Sequence, residues 1–127
     1  MEIKQAHILF FVKDQQASTE FYSAAFDCEP SLNVPGMTQF QLPGGTTLGL
    51  MPNAGIKRLL GDEIPDFQAG EGTPRGELYL LVDNPDKYIN NAVSAGAKLV
   101  SALQKRDWGD EAGYCMDTDG HLLAFAK

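Results

Sequence analysis

The chain has 127 residues, 43% of them hydrophobic and 21% charged, enough for a packed core and too apolar for wholesale disorder. Its formal net charge of -7 argues against nucleic acid or an anionic membrane surface as a partner. Cys28 and Cys115 are too few for a disulfide framework, the start Met1-Glu2-Ile3-Lys4 lacks the pattern of a signal peptide, and no apolar run is long enough to span a bilayer. The expectation is a cytoplasmic protein in a reducing compartment.

Ile3 to Val12 is apolar and rich in β-formers, and reads as a strand with His7, Leu9 and Phe11 on one face. Asp14 is placed to cap a helix whose apolar stripe is Ala17, Phe21, Tyr22, Ala25 and Phe26, ending near Asp27. Three short strands follow, 30–34, 37–42 and 46–51, with Pro35-Gly36 and Pro43-Gly44-Gly45 as turns. Residues 52–76 are broken by Gly and Pro, with one helical turn at Ile56–Leu60, and read as a linker or a flap.

The pattern then restarts. Glu77–Val82 is a strand, Asn84 a cap, Pro85 the first helical residue, and Tyr88, Ile89, Ala92 and Val93 an apolar face closed by Gly96. Strands follow at 98–101, 112–116 and 122–126, with a polar excursion over 104–111 and a hairpin turn at Asp117-Thr118-Asp119-Gly120. The halves align at an offset of 70 early on (His7 on Glu77, Asp14 on Asn84) and 75 later (Gly45 on Gly120, Gly49 on Ala124). The chain is therefore read as α+β, two β-α-β-β-β modules over 1–51 and 77–127 joined by a connection at 52–76.

The residues His7, Asp14, Phe21-Tyr22, Glu77, Val82 and Asn84, with the run Trp108-Gly-Asp-Glu-Ala-Gly-Tyr114 and Asp117-Thr-Asp-Gly-His121, resemble the glyoxalase/bleomycin resistance/dioxygenase superfamily, the vicinal oxygen chelate fold. The resemblance implies that the modules curl mixed-to-antiparallel sheets into a cup with the helices outside. It also implies a homodimer and a divalent metal at the floor of the cup. The four ligand positions carried over from the family are His7, Gly49, Glu77 and Ala124.

His7 and Glu77 are competent ligands, whereas Gly49 and Ala124 have no ligating side chain. The expected cofactor is accordingly none. The alternative is a divalent metal or a proton shuttle held by His7 and Glu77 in a glyoxalase-type lyase or isomerase, with Glu63, Asp66 or Glu71 completing the set. The preferred reading is a pocket for a small cationic or aromatic molecule, in the manner of antibiotic sequestration. Its expected lining is Leu9, Phe11, Phe40, Thr47, Met51, Tyr79, Trp108, Tyr114 and Leu122. Arg75, Arg106 and Asp110 are read as solvated loop charges, and His121 as a hairpin residue rather than a ligand.

Overall fold

The computed structural model describes residues 1–127, the side chain of Ala69 excepted. Its strands are β1 (His7–Val12), β2 (Leu32–Val34), β3 (Met37–Gln41), β4 (Thr47–Pro52), β5 (Glu77–Leu81), β6 (Lys98–Lys105), β7 (Glu111–Met116) and β8 (Leu122–Ala126). The helices are α1 (Gln15–Phe26), α2 (Asn53–Leu60) and α3 (Pro85–Ser94). Two four-stranded sheets result, in the orders β1-β4-β3-β2 and β5-β8-β7-β6. In each sheet the first pair is parallel and the others antiparallel. The repeat holds to the level of register, because Leu9 pairs with Gly49 as Tyr79 pairs with Ala124.

The chain forms two compact units, 1–20 with 28–69, and 21–27 with 70–127, so the second half of α1 counts with the second unit. In the first unit, Thr19 Oγ1 lies 2.7 Å from Thr38 Oγ1, which sets the start of α1 on the face of β3 that also buries Phe40 and Leu48. Asp14 caps α1, accepting from the Ala17 amide at 3.0 Å. Asp27 ends the helix in the left-handed region, at φ 54°. In the second unit, Phe125 is fully buried, stacked on Tyr88 of α3 at 5.8 Å and edge-on to Phe26 at 6.5 Å. That contact explains why the end of α1 belongs here: its Tyr22 and Phe26 complete the core over β8.

α3 begins as its sequence dictates. Asn84 accepts from the Lys87 amide, Pro85 occupies the first turn, and Gly96 follows the helix at φ 115°. Asn84→Ala removes one acceptor from the helix start and should cost about 1 kcal/mol in a urea unfolding experiment.

The structure changes three expectations. The first strand begins at His7 rather than Ile3. Residues 52–76 are not a bare linker: α2 follows β4 directly, and short tight turns of helix occupy Gly61–Glu63 and Phe67–Gly70. Gly55, inside α2, weakens the local helix signal, yet Ile56 is buried and Lys57 and Arg58 sit in the last turn, where positive charge suits the helix end. Finally, β6 runs on to Lys105, shrinking the polar excursion to a tight turn over 106–110. β6 does so by two register shifts, between Leu99 and Ser101 and between Ser101 and Gln104.

Candidate functional site

Each sheet packs one face on helices, and its other face, called the open face, carries partly exposed side chains among buried ones. In the second unit the helix face carries Leu78, Leu123, Phe125 and Cys115, all buried. The opposite face carries Glu77 and Tyr79 of β5, Leu122 and Ala124 of β8, and Tyr114 and Met116 of β7. Tyr79 and Tyr114 both pair with Ala124 and so stand on either side of it. The alanine itself is fully buried.

The turn over 106–110 reaches onto this open face. Trp108 Nε1 donates to Tyr79 Oη at 2.9 Å, and Tyr79 Oη donates to Asp110 Oδ2 at 2.6 Å. The Asp110 carboxylate raises the Tyr79 phenol above its ordinary value, so the hydroxyl stays a donor. Trp108 remains 58% exposed, with its indole edge held and its ring available to a ligand. Beside it Arg106 lies over the Tyr114 ring, 5.1 Å from the centroid. Its Nε donates to Ala112 O at 3.0 Å, and its Nη2 donates to Ser101 Oγ, Ala102 O and Ala112 O at 2.8, 3.1 and 2.9 Å.

Tyr79, Trp108, Tyr114 and Leu122 therefore share the open face of the second sheet. Asp110 and Arg106, read from sequence as solvated loop charges, are half-buried parts of the same cluster. The one signal that pointed to them was the lone tryptophan between them in a polar stretch. A one-dimensional reading cannot see that the turn folds back onto β5.

In the first unit, Leu9, Phe11, Thr47 and Met51 share the open face with His7 and Gly49. Leu9 and Phe11 are 37% and 36% exposed, and Phe67 packs edge-on against Phe11 at 5.7 Å. Thr47 is buried, with its hydroxyl 3.2 Å from Gln41 Oε1, and offers little to a ligand. Phe40 is a correction: it pairs with Leu48 on the helix face, is fully buried, and lines no open surface. The parity of β3 puts Gln39 and Gln41 on the open side instead.

The donor set for a resident metal does not fit. At Gly49 any added side chain would meet Leu9 Cγ at 3.0 Å and Met37 Sδ at 3.2 Å, so apolar atoms hold that space. Ala124 is buried and ligand-free, while His7 and Glu77 are exposed at the heads of β1 and β5. Among the described residues no group of three His, Cys, Asp or Glu side chains comes together.

His121 is held at the hairpin. Its Nδ1 lies 2.8 Å from Asp117 Oδ2, and its amide donates to Asp117 Oδ1 at 2.8 Å. Cys115 is buried, and burial pushes its thiol up. Among the described residues no helix is long and apolar enough to cross a membrane.

Comparison with known proteins agrees with this architecture. An uncharacterized protein of Mycobacterium bovis is 31% identical over 119 residues, covering 87% of this chain and 74% of that one. An uncharacterized protein of Mycobacterium tuberculosis is also 31% identical over 119 residues, and there the match spans 66% of the relative's length. Among solved structures, a glyoxalase-related enzyme from Fulvimarina pelagi superposes with a TM-score of 0.81 at 23% identity, covering 98% of this chain and 88% of that one. A glyoxalase/bleomycin resistance protein/dioxygenase family enzyme from Burkholderia phytofirmans gives 0.78 at 20% identity, covering 94% of each. The family model described as Glyoxalase/Bleomycin resistance protein/Dioxygenase superfamily matches residues 4–125, and the chain belongs to that superfamily.

Proposed function

We propose that the chain binds a small organic molecule on the open face of its second sheet, without a resident metal, as a sequestering or carrier protein. The observation that carries this reading is the chain of hydrogen bonds from Trp108 through Tyr79 to Asp110. It fixes two aromatic side chains in partly exposed positions, where their rings remain available to a ligand. Apolar walls with a few fixed polar points are the usual make-up of a small-molecule site. The apolar atoms filling the space at Gly49 support the metal-free part of the reading. Homodimer formation is part of the same proposal and is read by sedimentation equilibrium.

Trp108 is the only tryptophan, so its fluorescence reports on the site directly. A screen of aromatic fragments of all charge types should find ligands that change Trp108 emission saturably. Tyr79→Phe removes the hydroxyl that joins Trp108 to Asp110 and should weaken those ligands about tenfold. Ligands that bind equally well to Tyr79→Phe, with chemical shifts mapping elsewhere, would sink the assignment.

A further inference from the structure

The charges around the aromatic cluster point to the class of ligand, a reading that rests on the binding site just proposed. Asp110 and Arg106 lie at the two ends of one tight turn, whose backbone is closed by Arg106 N donating to Asp110 O at 2.8 Å. Their side chains do not pair. Asp110 Oδ2 accepts from Tyr79, a neutral donor, and among the described residues no cation pairs with the carboxylate. Arg106 spends Nε and Nη2 on carbonyl and hydroxyl oxygens and rests on Tyr114. Among the described residues its Nη1 makes no hydrogen bond and no carboxylate pairs with the guanidinium. Both groups are half-buried and held by partners that fix their positions without cancelling their charge.

Two opposite, fixed, unneutralised charges on one face discriminate by sign. A simple cation gains from Asp110 and is opposed by Arg106, and a simple anion meets the reverse. A molecule carrying both charges satisfies both, while Trp108 and Tyr114 supply ring surface for an apolar or aromatic body. We infer that the site selects a zwitterion of amino-acid type: an ammonium directed to Asp110, a carboxylate to Arg106, and an aromatic or apolar side group against Trp108 and Tyr114.

The test uses three probes on the full chain, read by Trp108 fluorescence and by the indole N–H signal in NMR. They are L-phenylalanine, its methyl ester, which keeps only the positive charge, and N-acetyl-L-phenylalanine, which keeps only the negative one. L-Phenylalanine should bind saturably and about tenfold tighter than either derivative. Asp110→Asn keeps an oxygen for Tyr79 and should bring the N-acetyl form level with the zwitterion. Arg106→Gln should do the same for the ester. Arg106→Lys, which keeps the charge and loses the fork, separates loss of charge from loosening of the turn, and should retain part of the preference.

Either singly charged probe binding as tightly as L-phenylalanine to the wild-type chain would overturn the inference. So would a preference unchanged in both Asp110→Asn and Arg106→Gln, or no saturable response to L-phenylalanine up to its solubility limit. A fragment that still quenches Trp108 in a Tyr79-dependent way would then leave the binding site standing and remove only its zwitterion selectivity.

Discussion

Asp117→Asn is expected to lower the unfolding free energy by roughly 3 kcal/mol at neutral pH, the scale for breaking a buried, hydrogen-bonded charge network. In a domain of this size that is a fall in Tm of roughly 10 °C. The carboxylate is 2% exposed. Oδ1 accepts from the amides of Asp119 and His121 at 3.0 and 2.8 Å, and Oδ2 takes Tyr22 Oη at 2.5 Å and His121 Nδ1 at 2.8 Å. With Asp117 ionised, His121 Nδ1 carries the proton and donates. The amide in Asp117→Asn accepts at one atom only, so it must leave donors facing its NH2 group.

The pH dependence follows from the same contacts. Burial alone would raise the Asp117 carboxyl, but the donors of His121 and Tyr22 outweigh it and hold the group below its ordinary value of 3.8. A depressed carboxylate stabilises the fold above the unfolded-state value, and that contribution is lost as pH falls through the folded-state value. The stability gap between wild type and Asp117→Asn should therefore be constant from neutral pH down to about pH 5 and narrow below about pH 4. Tyr22 is raised well above its ordinary value, by burial first and by the Asp117 charge second, and stays a donor throughout. A gap that stays constant down to pH 2 in urea titrations would mean that the carboxylate charge contributes nothing.

This network also shows what the sequence carried and what it hid. The repeat was legible because burial on one face imposes period two on strands and period 3.6 on helices, and both halves keep the pattern. The hairpin at Asp117–Gly120 was legible because Asp and Gly are the residues such a turn needs; Gly120 has φ 96°. The partnership of Tyr22 with Asp117, 95 positions apart, was not, because nothing local in either segment encodes it. The candidate site divides the same way. Tyr79, Tyr114 and Leu122 follow from strand alternation once Ala124 is fixed, whereas the assignment of Phe40 failed because β3 runs with the opposite parity. Asp110 and Arg106 carry no periodic signal at all, being turn residues, and their roles appear only when β6 is extended through its two register shifts.

Those shifts lead to Gly113, which connects the core to the site. A Cβ at this position would clash with Ile89 Cδ1 of α3 and lie 3.1 and 3.3 Å from the N and Cα of Leu103. Ile89 can rotate away, but the backbone of Leu103 cannot, because the irregular stretch of β6 carries it against β7. The same stretch presents Ser101 Oγ and Ala102 O to Arg106, and through Arg106 it positions the cation over Tyr114. A glycine on the helix side of β7 thus admits the backbone irregularity that anchors a charge on the open side. Gly113→Ala should cost about 2 kcal/mol by overpacking, measured by urea unfolding. It should also broaden or shift the Arg106 Nε–H signal in NMR, which a purely local packing defect on the helix face would leave in place. Adding Ile89→Val relieves the flexible contact alone, so the double variant should recover only part of the stability and none of the Arg106 signal. Full recovery of both would place the constraint in the Ile89 side chain and sever the link between Gly113 and the site.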